Sequence, residues 1–142
     1  MLERRLKIVI LLYLWVALIE DTALFLISWL APGLWFRIFH FALPTTPFEV
    51  AFLRRSGGQW AAFALAQAIT LWRWRRNPEW LAVAAGIRFS DLFTDICYIL
   101  AVPTLTRVGW FMLIPPAFLN LLGVIIFLKG YKQARGSVSS AT

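Results

Sequence analysis

The chain has 142 residues, 61% of them hydrophobic and 15% charged, with a mean hydropathy of +0.73. A soluble domain needs about a quarter of its residues charged to cover its surface, so this composition argues against one and for helices that cross a bilayer, each taking about 20 apolar residues. The formal charge of +7 comes from Lys and Arg placed at the ends of apolar runs, which reads as a membrane-topology signal and not as a nucleic-acid surface.

The first apolar run, 6–30, follows Arg4, Arg5 and Lys7. A secretory leader would begin in the same way, but Glu20-Asp21-Thr22-Ala23 offers no small-x-small cleavage site and apolar sequence continues to Leu30, so a spanning helix is expected. Pro32-Gly33 should end it. The segment 34–43 carries Trp35, Phe36, Phe39 and Phe41 with Arg37 and His40 on one helical face. It is too short to span and too apolar for water, so an interfacial segment is expected, with His40 as an interfacial side chain.

Thr46-Pro47-Phe48-Glu49 has the form of a capping box with proline at the first helical position. It predicts a second helix running to about Trp74, with Gly57-Gly58 weakening it and the spanning part covering 58–74. Asn77-Pro78-Glu79 predicts a third start, with a span over 80–102 closed by Pro103. The fourth span is 108–128, ending in Lys129-Gly130, and 130–142 reads as a disordered tail. Pro115-Pro116 should kink this last helix.

Four spans place both termini on one side. Arg4, Arg5, Lys7, Arg73, Arg75, Arg76, Lys129, Lys132 and Arg135 lie on that side, against Arg37, Arg54, Arg55 and Arg107 opposite. The positive-inside rule then puts both termini in the cytoplasm of a multi-pass protein of the cell (inner) membrane.

Ionisable residues inside the spans set this chain apart from a plain anchor: Glu20 and Asp21 in the first, Arg88, Asp91 and Asp95 in the third. Each costs roughly 2.5 to 3.5 kcal/mol at a span centre, so partners, water or protons must compensate. Arg88, Asp91 and Asp95 share one helical face through their three- and four-residue spacing. At about 1.5 Å of rise per residue, Glu20 and Asp95 fall at one depth, and Gln67 and Asn120 project to the same layer. Glu20 and Asp21 point about 100° apart, so only one can face the shared layer squarely while the other can face a neighbouring subunit. Four carboxylates against one guanidinium leave the layer short of positive charge, and a proton, water or a cation is expected there. Ala82, Gly86, Ser90 and Thr94, small residues four apart, should let another helix approach the third, making it the centre of the bundle.

Single Cys97 and His40 are too few for a zinc site, a bis-histidine haem or a thiol pair, so no metal and no cofactor is expected. No nucleophile set or phosphate loop is present that would mark an enzyme. Tyr13-Leu14-x-x-Ala17-x-x-Glu20 resembles the first-helix pattern of small multidrug-resistance exporters, which lack a charged third helix like this one. The basic start, the four spans, Ala31-Pro32-Gly33-Leu34 closing the first helix and Arg54-Arg55-Ser56-Gly57 leading into the second are together similar to the layout of DoxX-like small membrane proteins. That resemblance implies a four-span fold and an accessory role in an oxidative or lipophilic-metabolite context.

The expectation is therefore an all-α integral membrane four-helix bundle with a short interfacial segment between helices 1 and 2. Its site is centred on Arg88, Asp91 and Asp95 and joined by Glu20, Asp21, Gln67 and Asn120. It should bind a lipophilic small molecule or support a membrane-protein partner or a second copy of itself, with proton-coupled transport or acid-base catalysis as alternatives.

Overall fold

The computed structural model describes residues 3–40 and 46–139, which form five helices and no strand. These are α1 (Arg4–Leu30), α2 (Pro32–His40), α3 (Pro47–Arg73), α4 (Glu79–Ala101) and α5 (Arg107–Ser139). Two of them, α1 and α5, are long and apolar enough to cross a membrane. Helix α4 falls short of that measure because Arg88, Asp91 and Asp95 interrupt it.

Helix α1 packs chiefly on α3 and α4 on α5, with thinner seams between α3 and α4 and between α1 and α5. Among the described residues the backbones of α1 and α4 do not approach each other. Two apolar clusters lie at opposite ends. Leu6, Ile10, Leu14, Leu81, Ala84, Ala85 and Phe127 join Trp74 at the end that carries the start of α1 and the late part of α5. Trp35, Phe39 and Leu53 form the other, against Leu24, Ile27 and Trp60.

Several boundaries differ from the sequence reading. Pro32-Gly33 stops α1 and at once begins α2, since proline suits a first helical turn where no donor is needed. Helix α2 is docked as well as amphipathic: Trp35 and Phe39 are buried, with Trp35 stacked 4.4 Å from Phe39 and 5.2 Å from Trp60. Residues 41–43 of the expected interfacial segment, including Phe41, lie outside the described residues.

The capping box of α3 forms as expected, with Thr46 accepting from the Glu49 backbone N–H and Glu49 accepting from the Thr46 N–H. Gly57-Gly58 does not interrupt α3, which runs through both. A β-carbon at Gly57 would stand 2.6 Å from Trp29 Cδ1 and collide with Ser28, whereas nothing lies near one at Gly58. Gly57 thus serves a close α1–α3 crossing. At the α4 start Pro78 is the N-cap with no side-chain cap bond, so the expected Asn77 cap is absent.

Helix α5 passes through Pro115 and Pro116 and continues beyond Gly130 to Ser139, inside the stretch expected as a disordered tail; residues 140–142 lie outside the described ones. Gly130 ends nothing because its role is packing: a β-carbon there would lie 2.6 Å from Ile10 Cδ1 and 3.2 Å from Leu81 Cδ1.

The small-residue stripe of α4 is a further correction. Gly86, Ser90 and Thr94 are exposed, and nothing lies within 4 Å of a β-carbon at Gly86. The inward face of α4 is instead Leu81, Ala84, Ala85 and Arg88, so α4 is not the centre of the bundle by backbone packing. The long side chain of Arg88 carries α4 into the polar centre.

Candidate polar site

The four long helices each deliver a polar side chain to the level between the two apolar clusters. Arg88 of α4 is the largest fully buried side chain, 1% exposed, and Asp21 of α1 is 0% exposed. Arg88 Nη2 donates to Asp21 Oδ2 at 2.7 Å. Gln67 of α3 donates its Nε2 to the same carboxylate oxygen. On the other side Arg88 Nη1 donates to Asn120 Oδ1 of α5 at 3.1 Å and lies 3.4 Å from Asp91 Oδ2.

Asn120 then closes the network, since its Nδ2 donates to Asp91 Oδ2 and to Asp95 Oδ2, each at 3.1 Å. Its amide orientation is fixed by these partners: the oxygen must face the guanidinium and the nitrogen the two carboxylates. The Phe63 ring lies 6.0 Å beneath the Arg88 guanidinium, covering it with an aromatic face. The line of contacts therefore runs Gln67, Asp21, Arg88, Asn120 and then the Asp91 and Asp95 pair, crossing α3, α1, α4 and α5.

Of the seven residues expected in the layer, six meet. Glu20 does not. One residue before Asp21, it is turned away by the helical rotation and stands half-buried in a groove of about 260 Å³ on the α1 and α5 seam. The groove is lined otherwise by Val9, Leu12, Tyr13, Val16, Ala17 and Leu119, and no side-chain hydrogen bond or ion pair joins Glu20 to another described residue. It adds a carboxyl group to that of Asp95, whose one hydrogen-bond partner among the described residues is the Asn120 amide.

Some atoms of the buried network stay unpaired: Asp21 Oδ1, Gln67 Oε1 and Arg88 Nε have no hydrogen-bond partner among the described residues. Buried polar atoms are usually satisfied, and an unsatisfied one costs about 1–3 kcal/mol. No three His, Cys, Asp or Glu side chains among the described residues converge as a metal-ligand set.

Sequence reasoning missed two contributors. Tyr13 bridges α1 to α5, donating its hydroxyl to the Leu119 carbonyl at 2.7 Å while its ring meets Phe127 edge-on at 5.2 Å. Gly123 makes room for it, because a β-carbon there would lie 2.6 Å from Tyr13 Cζ. The seven-residue spacing of Tyr13 and Glu20 on one face was the available signal. Phe63 carried no signal beyond its apolarity.

At the far end His40, expected as an interfacial side chain, has two partners from the α4 side: Tyr98 Oη at 2.6 Å from Nε2 and the Thr104 carbonyl at 3.2 Å from Nδ1. A carbonyl only accepts, so Nδ1 carries the proton and Nε2 accepts from Tyr98 when the ring is neutral. Nearby Thr106 caps α5 by accepting from Gly109 N–H at 2.8 Å, while its hydroxyl donates to the Ile38 carbonyl. These bonds strap the 102–106 connection onto α2.

Set against protein-family models, curated proteins and solved structures, the chain matches none of them.

Proposed function

We propose that the chain is a multi-pass membrane protein whose four long helices span the bilayer, with both termini cytoplasmic, and that it binds a lipophilic small molecule beside the Arg88 layer. The observation that carries the membrane part is the distribution of polarity. Leu30 at 79%, Trp72 at 86% and Leu100 at 82% face outward, as do Leu12, Ile19, Phe93 and Phe118, while Asp21, Gln67, Arg88 and Asn120 are buried. Water would reward the reverse arrangement; lipid rewards this one. Arg88, which lowers the hydropathy of α4, is folded inward with its partners Asp21 and Asp91, while Val83, Phe89, Phe93, Ile96 and Leu100 of the same helix face outward.

The binding part is supported by the surplus of carboxylate over guanidinium, by the unpaired Asp21 and Gln67 oxygens within the layer, and by the groove on the α1 and α5 seam that holds Glu20. A lipophilic molecule with a polar head would reach such a site from the membrane. The layout shared with DoxX-like proteins fits the same reading. An accessory role is the second reading, favoured by the exposed Gly86, Ser90 and Thr94 face of α4, which a partner helix could approach closely.

Two measurements test the proposal. In proteoliposomes Cys97, exposed on α4 within the proposed bilayer, should resist a charged, impermeant maleimide that labels a cysteine placed at Ser56. Native mass spectrometry of protein released from nanodiscs should find a bound lipophilic species that Asp95→Asn depletes. Ready labelling of Cys97 in intact liposomes would end the membrane reading. Co-purification of a stoichiometric protein with no small molecule would favour the accessory role, and flux that follows a pH gradient and stops with Glu20→Gln would favour transport.

A further inference from the structure

At the far end of the molecule the last turn of α2 is strapped to the start of α5. Thr106 donates its backbone N–H to the Phe39 carbonyl at 2.9 Å and its hydroxyl to the Ile38 carbonyl. Gly109 lets the two chains close up, since a β-carbon there would lie 2.7 Å from the Phe39 carbonyl oxygen. The strap fixes the walls of an open pocket of about 470 Å³, lined by Arg37, Ile38, Thr106, Arg107 and Val108. Two guanidinium groups from different helices thus share a pocket that no described carboxylate lines. Neither has an ion pair or a side-chain hydrogen bond with another described residue. In sequence, 32–59 and 96–118 hold Arg37, Arg54, Arg55 and Arg107 but a single acid, Glu49, which accepts from the Thr46 N–H in the α3 cap. Asp95 lies a turn inward of Tyr98, bound to Asn120.

Like charges held in one pocket repel, and a phosphate answers both, because its oxygens accept charge-assisted bonds from two guanidinium groups at once. The surroundings narrow the source of that phosphate. Ile38 and Val108 give the pocket apolar walls beside the charges. Trp110, three residues after Arg107, is 42% exposed, as an aromatic side chain at the headgroup level of a bilayer would be. On the multi-pass reading this end faces away from the cytoplasm, the side on which Lys and Arg are disfavoured; a bound anion accounts for two arginines there. We propose that the pocket binds the phosphate of an anionic phospholipid between Arg37 and Arg107, with the acyl chains lying along the exposed Val108, Phe111 and Met112 of α5. The proposal rests on the membrane reading above and not on the small-molecule one.

The test is native mass spectrometry of the full chain in mild detergent, given equal amounts of phosphatidylglycerol, phosphatidylcholine and diacylglycerol of one chain length. The phosphatidylglycerol adduct should exceed each of the other two about tenfold, and Arg37→Gln or Arg107→Gln should each lower it about fivefold. Arg55→Gln removes the same charge from an exposed position outside the pocket and should leave the adduct unchanged. The comparison of lipids on the unaltered protein needs no variant to fold. Equal adducts of all three lipids, or an equal loss with Arg55→Gln, would overturn the site. Inorganic phosphate has no acyl chains, so millimolar amounts should not displace the lipid; displacement would keep the anion site and overturn the lipid assignment. Adducts blind to headgroup, with Cys97 still shielded from the impermeant maleimide, would sink this inference alone. Ready labelling of Cys97 would remove the membrane reading beneath it.

Discussion

Arg88 Nη2 stands 2.7 Å from Asp21 Oδ2 and so joins α4 to α1, two helices whose backbones nowhere come close among the described residues. The contact does by side chain what backbone packing does elsewhere in the molecule. Both groups are out of reach of solvent, so breaking the pair from one side strands a charge.

Removing one partner should therefore be severe. Asp21→Leu or Arg88→Met is expected to destabilise by about 3–5 kcal/mol, whereas the double substitution should recover much of the loss because apolar residues of similar volume need no partner. A double-mutant cycle of unfolding in mixed micelles, followed by circular dichroism, measures the coupling. Additive effects would show that the pair is not the tie between the two helices.

Asn120 and Asp95 should separate. Asn120→Leu takes a partner from Arg88, Asp91 and Asp95 together, and a loss of about 2–3 kcal/mol is expected from buried groups left unsatisfied. Asp95→Asn keeps an acceptor for Asn120 Nδ2 and removes only the charge, so a change of about 1 kcal/mol or less is expected, with expression intact. Thermal melting of the two variants side by side checks the ranking.

Adjacent glycines should respond with opposite sign. Gly57→Ala drives a methyl group into Ser28 and Trp29 and should destabilise by about 1–3 kcal/mol. Gly58→Ala meets open space and should stabilise α3 by about 0.5–1 kcal/mol. Unfolding midpoints that move together would refute the close crossing of α1 and α3.

The two cap sequences should differ as well. Thr46→Ala removes a formed cap and should cost about 1 kcal/mol. Asn77→Ala, at a helix start where no side-chain cap bond forms, should stay within about 0.5 kcal/mol of the parent.

The starts and stops that depend on local chemistry were legible in the sequence: the Thr46 box, the proline that closes α1, and the break after residue 101. So was the layer of Asp95, Gln67 and Asn120, because level follows from helical rise, although the same reading put Glu20 there and the packing puts Asp21. The role of glycine was not legible. Gly57 and Gly130 look like helix breakers along the chain, yet each, like Gly123, leaves room for a side chain of another helix.

Sequence by itself determined that the chain is helical, where its charges interrupt apolar runs, and that the acids outnumber the one base among them. Tertiary structure alone decided which acid that base takes. Glu20 and Asp21 are neighbours with the same charge and nearly the same depth, and only the rotation of α1 against α3 and α5 turns Asp21 toward Gln67 and Arg88 and leaves Glu20 in the groove. Composition and spacing are properties of one helix, whereas the face a residue presents to its neighbours is fixed by how several helices pack.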